Sequence, residues 1–165
     1  MSSTEYRLQP IHAADQAVLW DAIYHAIFVP PGELAPPRDV VRERAIARYV
    51  VDWGQADDVG LMACGDDDTP IGAAWLRCLR GEQRGFGYVD DATPELAIAV
   101  SAEWSGRGIG TRLLRALLEE AERHFAAVSL SVSRENPARR LYERFGFETV
   151  AETDTSLTMR RVRPS

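Results

Sequence analysis

Residues 103–125 read EWSGRGIGTRLLRALLEEAERHF. Gly106, Gly108 and Gly110 alternate with other residues and run straight into a helical pattern. Ile109, Leu113, Leu114, Leu117, Leu118, Ala121 and Phe125 share one face of that helix. The first amides of a helix have no partners within it. Glycines ahead of them carry no Cβ, so a ligand can approach the main chain and unusual φ angles cost little. Free amides at the positive end of a helix dipole suit phosphate oxygens. Arg107 and Arg112 add side-chain charge. The stretch therefore reads as an anion cradle between a strand and a helix.

The spacing sets aside two nucleotide motifs. The dinucleotide fingerprint needs G-x-G-x-x-G, and Thr111 stands where its third glycine would fall. The phosphate loop of nucleoside triphosphatases needs a lysine after its last glycine, and none follows here. A glycine-rich strand-to-helix connection without any ligand is the plainer alternative.

Outward from this stretch, EYRLQPI reads as a first strand and ADQAVLWDAIYHAIF as a helix, with Asp15 as its cap or first-turn acid. VPPGELAPP stops that helix as a stiff loop. RDVVRERAIARYVVDW, residues 38–53, reads as a second, less amphipathic helix. VGLMAC and PIGAAWLRCL read as strands paired through GDDDT. RGEQRGFGYVDDAT has no clear period and reads as a loop. PELAIAVS is a strand, the helix after the glycines runs to about Phe125, and VSLSVS is a strand. NPARRLYERFG is a short helix, with FETVAET and SLTMRRV as closing strands. Hairpin order in the first half and βαβ order in the second predict a mixed sheet with helices on its faces.

The chain has 165 residues, enough for one domain, 1–165, with a core that needs no metal or disulfide staple. Cys64 and Cys78 lie in apolar stretches without CxxC spacing and read as buried thiols; no metal site is expected. The formal net charge of −6 disfavours non-specific nucleic-acid binding. MSSTEYRLQP is polar and lacks a signal-peptide core, and no apolar run reaches membrane-spanning length, so a cytoplasmic protein is expected.

ELAIAVSAEWSGRGIGTRLLRALL followed by LSVSRENPARRLYERFGFETV resembles the GCN5-related N-acetyltransferases. The family's pyrophosphate loop, [QR]-x-x-G-x-[GA], falls on residues 105–110, with Ser105 in place of the usual Gln or Arg. Asn136, Ala138, Tyr142, Gly146 and Phe147 follow at the family's spacing. The resemblance is strong over residues 94–150 and is one of element order over residues 5–79. It implies an α/β (α+β) fold, the acyl-CoA N-acyltransferase fold. Its central sheet would be mixed and mostly antiparallel, with about seven strands splayed in the middle and about four helices on its faces.

The resemblance also implies acetyl-CoA as cosubstrate. The amides of Gly106, Arg107, Gly108, Ile109, Gly110 and Thr111 would hold its pyrophosphate. Its pantetheine arm would pair like an extra strand with Ile98, Ala99 and Val100, and a bulge in that strand would aim an amide at the thioester carbonyl. Aminolysis needs a neutral amine. Glu95 stands where the family often keeps a base acting through water; otherwise it is a solvated acid after Pro94. His25, Asp90 and Asp91 are rival bases. Tyr142 would protonate the departing thiolate, although it also belongs to an apolar helix face with Ala138, Leu141 and Phe145. Asn136 and Pro137 read as N-cap and first helical residue, and Asn136 would also meet the pantetheine region. Gly146 ends that helix.

The resemblance places the acceptor under FVPPGELAPP and RGEQRGFGYVDD. Tyr24, Phe28, Glu33, Phe86, Tyr88, Asp90 and Asp91 offer aromatics and acids that suit an amine on an apolar body. The expected activity is acetyl transfer to a primary amine of a small molecule by direct attack, without metal or covalent enzyme intermediate. Acetylation of a protein N-terminus or lysine is a second reading, and a non-catalytic acyl-CoA sensor a third. No nucleic-acid or membrane partner is expected, and exposed strand edges allow a homodimer.

Overall fold

The computed structural model describes residues 5–165; residues 1–4, the start of the polar N-terminal stretch, lie outside it. Seven strands form one sheet: β1 (Tyr6–Pro10), β2 (Val59–Gly65), β3 (Pro70–Arg77), β4 (Glu95–Val100), β5 (Ala127–Ser133), β6 (Glu148–Glu152) and β7 (Ser156–Val162). Their order is β1-β2-β3-β4-β5-β7-β6. Every neighbouring pair is antiparallel except β4 with β5, which is parallel and meets at the single pair Glu95 and Ser129. Beyond that pair the two strands part, so the sheet is splayed in its middle as expected.

Alternation along the strands sends side chains to two cores. On one face, α3 (Ile109–Ala121) and α4 (Ala138–Arg144) cover Ile71, Leu96, Val128, Leu130 and Val132. On the other, α1 (Gln16–Ala26) lays Leu19, Ala22 and Ile23 against Trp75, Ala97 and Ala99. The α3 helix presents Leu113, Leu114, Leu117 and Leu118 to its core, each at most 2% exposed. It stops at Ala121, with the following turn reaching Phe125.

The second helix departs from expectation. Residues 38–42 form a 3-10 turn, Glu43 is extended (φ −62°, ψ 137°), and α2 covers only Arg44–Ala47. Side chains from β3 take the carbonyls that a longer helix would use. Trp75 Nε1 donates to Tyr49 O at 2.8 Å. The Arg77 guanidinium donates to the carbonyls of Arg48, Val51 and Asp52 at 3.1, 2.6 and 3.3 Å, and pairs with Asp58 at 3.1 Å. β-Branched Val50 and Val51 weaken the helical alternative further. Cys64 is buried in β2 as expected, but Cys78 lies one residue beyond β3 and is half-buried.

Candidate active site

The fork between β4 and β5 organises the site. β4 pairs with β3 in unbroken register from Gly72 with Val100 to Arg77 with Glu95, so the expected bulge is absent from this strand. None is needed to expose backbone groups. Ser101 N donates to Ile71 O at 2.8 Å. Antiparallel alternation then turns the backbone of Ala99 towards β3, and the N–H and C=O groups of Ile98 and Val100 towards β5. Since β5 has departed, those groups face an open slot. Ala99 is buried and sends its side chain to the α1 face.

At the wide end of the slot lies the glycine loop. Gly106 and Gly108 have φ of 76° and 80°, the left-handed region that favours glycine. A Cβ at either position would meet nothing within 4 Å, so the space above them is free for a ligand. Gly108 caps α3, and Arg112 N donates back to its carbonyl at 3.1 Å. The amides from Ile109 to Thr111 belong to the unsatisfied first turn. Arg107 lies over the Trp104 ring at 4.9 Å and Arg112 over the Tyr6 ring at 4.9 Å, which keeps both charges beside the loop. Ser105 Oγ donates to Ala102 O at 2.9 Å and stabilises the preceding turn.

Tyr142 is 8% exposed on α4, edge-on to Phe147 at 5.9 Å. Burial pushes its hydroxyl up to about 12. It therefore remains a proton donor throughout the neutral range. Asn136 Oδ1 accepts from Ala138 N at 2.9 Å, so its side chain caps the first amide of α4 across Pro137, which already has helical φ and ψ of −63° and −17°.

Glu95 sits at the closed end of the slot and is 1% exposed. Its carboxylate accepts from Tyr49 Oη at 2.8 Å and from the amides of Gly85 and Gly87 at 2.9 Å each. Burial raises its pKa, against the lowering effect of Tyr49, the two amides and Arg48. Burial also raises the Tyr49 hydroxyl, followed by the charge of Glu95.

The remaining candidates are spread over the loops. Asp90 accepts from Ala92 N and Thr93 Oγ1, and Asp91 accepts from Tyr88 Oη at 2.6 Å. His25 stands 3.7 Å from Asp21 in a shallow cleft lined also by Gly72, Ala99 and Ser101. Tyr24 donates to Pro36 O at 2.7 Å beneath Arg38; Phe28 is half-buried and Glu33 exposed. Phe86 is 61% exposed and stacks on Tyr49. Sequence reasoning missed Tyr49, because it lies in the stretch read as helix and no spacing marks it. It also missed Ser129, whose hydroxyl is fully buried without a partner.

Among the described residues, no group of three or more His, Cys, Asp or Glu is arranged to hold a metal ion. Nor is any helix among them long and apolar enough to cross a membrane.

A family model described as Acetyltransferase (GNAT) family matches residues 20–147. The chain belongs to that family. Among solved structures, a GNAT-family protein from Bordetella pertussis is 26% identical, with a TM-score of 0.67 and 98% of each chain covered. The ribosomal-protein-S18-alanine N-acetyltransferase of Escherichia coli is 16% identical, with a TM-score of 0.66 over 98% of this chain and 96% of that one. The PaiA N-acetyltransferase of Thermoplasma acidophilum, solved in complex with coenzyme A, is 17% identical, with a TM-score of 0.64 over 96% of this chain and 99% of that one. No curated protein matches the sequence.

Proposed function

We propose that the protein transfers the acetyl group of acetyl-CoA to a primary amine of a small molecule, by direct attack on the thioester. One observation carries this reading: the slot between β4 and β5 opens at its wide end onto the free amides of residues 106–111. The amides of Gly106 to Thr111 hold the pyrophosphate. The backbone groups of Ile98 and Val100 hold the pantetheine arm as a missing strand would. Ala99 keeps that strand on β3, and Asn136 borders the arm while capping α4.

The attacking nitrogen forms its bond to the thioester carbon, and the carbon–sulfur bond then breaks. The departing thiolate takes the proton of Tyr142 Oη, the nitrogen gives up its own proton to water, and water returns a proton to Tyr142 Oη to close the cycle. Tyr142 suits this role because burial without a charged partner keeps its proton in place. The site of action is the cytoplasm, where acetyl-CoA is available.

The acceptor lies between the proline-rich loop and the loop after β3, which expose Leu34 and Phe86. Such surfaces suit an amine with an apolar body. The test is CoA release from acetyl-CoA with polyamines, aminoglycosides, free amino acids and peptides. Release above background with one class identifies the acceptor. Tight acetyl-CoA binding with no release from any of them would mean a sensor.

A further inference from the structure

Three successive amides of the loop after β3 are captured by two side chains. Gly85 N and Gly87 N donate to Glu95, and Phe86 N donates to Tyr49 Oη at 2.9 Å. Tyr49 Oη in turn donates to Glu95 Oε1. Arg48, the neighbour of Tyr49, donates to the carbonyls of Glu82 and Arg84. The segment also touches the other wall of the slot. A Cβ on Gly87 would lie 2.6 Å from Leu130 C and 2.8 Å from Ser131 N, so the glycine rests directly on the β5 backbone. A Cβ on Gly85 would overlap Tyr49 Oη and the Glu95 carboxylate. The segment is thus wedged between Glu95 and β5 across the closed end of the slot.

We propose that Glu95 and Tyr49 are positioning residues: together they latch residues 85–88 across the closed end of the slot and so form the floor of the acceptor site. The role of base passes from Glu95 to solvent. A carboxylate that accepts three hydrogen bonds and is 1% exposed is engaged by the segment it holds, which leaves the ammonium proton to solvent. The glycines at 85 and 87 are the counterpart of the latch: a Cβ at Gly87 would collide with the β5 backbone, and one at Gly85 would displace the Tyr49 and Glu95 side-chain ends that form the latch. This inference rests on the acetyltransferase reading above.

Two measurements on the full chain test it. The first is amide hydrogen exchange at Gly85, Phe86 and Gly87 in Tyr49→Phe and in Glu95→Gln. Phenylalanine keeps the ring that stacks on Phe86, and glutamine keeps the volume of glutamate. In both variants all three amides should lose protection by about tenfold or more. Protection unchanged in either folded variant overturns the latch.

The second is turnover with the fastest amine of the panel. The KM for that amine should rise by about tenfold in both variants, with the KM for acetyl-CoA unchanged. The loss should stay constant from neutral pH to beyond the pKa of the amine. A base role would instead lower kcat in Glu95→Gln alone, with the loss vanishing once the amine is neutral, and that result overturns the proposal. If the wild type acetylates no amine, the acetyltransferase reading fails, while hydrogen exchange still decides whether the latch exists.

Discussion

Glu95 and Ser129 form the one register pair joining β4 to β5. Ser129 N donates to Pro94 O at 3.0 Å at the same junction. A four-stranded half-sheet and a three-stranded one therefore share a narrow hinge of backbone pairing. The slot that widens beyond the hinge points at the glycine loop.

Gly108→Asp tests the cradle. The left-handed φ of 80° favours glycine, and aspartate adds a like charge where phosphate would sit. Gly108→Asn is the control, because asparagine tolerates that conformation without charge. Each charge-assisted hydrogen bond lost is worth roughly 1.5–3 kcal/mol, so the aspartate variant should bind acetyl-CoA at least tenfold more weakly than the asparagine variant. Calorimetry reads the difference. Equal affinity of the folded aspartate variant and wild type would remove phosphate from this loop.

Tyr142→Phe separates chemistry from packing. The ring and its contact with Phe147 remain, and only the hydroxyl with its proton is removed. The melting temperature should barely move while kcat falls by ~10²–10⁴. The loss should shrink with a thioester whose leaving thiol is more acidic. Full kcat in the variant would leave water to protonate the thiolate.

Alkali should destabilise the fold in a way that Tyr142 explains. In the unfolded chain a tyrosine ionises at about 10, whereas the folded protein keeps the Tyr142 proton until about 12. Across that window the unfolded state binds fewer protons, so stability is complete below pH 10 and falls by about 1.4 kcal/mol per pH unit above it. Tyr49, also raised by burial, adds to the slope. Urea unfolding between pH 8 and 11 should show a shallower decline for Tyr142→Phe. An identical decline would contradict the burial of that hydroxyl.

Asp58→Ala tests the device that unwinds the second helix. The side chains of Arg77 and Asp58 are 7% and 5% exposed, so removing the acid leaves a buried guanidinium with carbonyl partners only. Breaking such a pair costs about 3–5 kcal/mol, or roughly 10 °C in melting temperature for a chain of this length. Thermal unfolding measures it, and a fall of a degree or two would show that the backbone carbonyls suffice.

Strand and helix order was legible because apolar spacing is a local property. SLTMRRV coincides with β7, and the leucine face of α3 is buried as its period predicts. The glycine loop was legible for the same reason, since amides and missing Cβ atoms need no distant partner. The unwinding of residues 38–53 was not, because Trp75 and Arg77 reach across from β3 to take the carbonyls. The surroundings of Glu95 were hidden in the same way. Its strand position was plain, but its partners come from Tyr49, 46 residues earlier, and from a loop without a period.

The order of the strands also bears on how the chain is made. The half-sheet β1-β2-β3-β4 pairs each strand with its predecessor and is complete at Val100. It can assemble as it leaves the ribosome, with α1 already available for one face. Its other face, including Ile71 and Leu96, waits for α3, whose sequence follows at once from Ile109. The second half cannot close so early: β7 follows β6 in sequence but inserts between β5 and β6. Removal of residues 156–165 takes away the whole of β7, the strand that holds β6 in the sheet, and should strand a chain with a finished first half and an open second one.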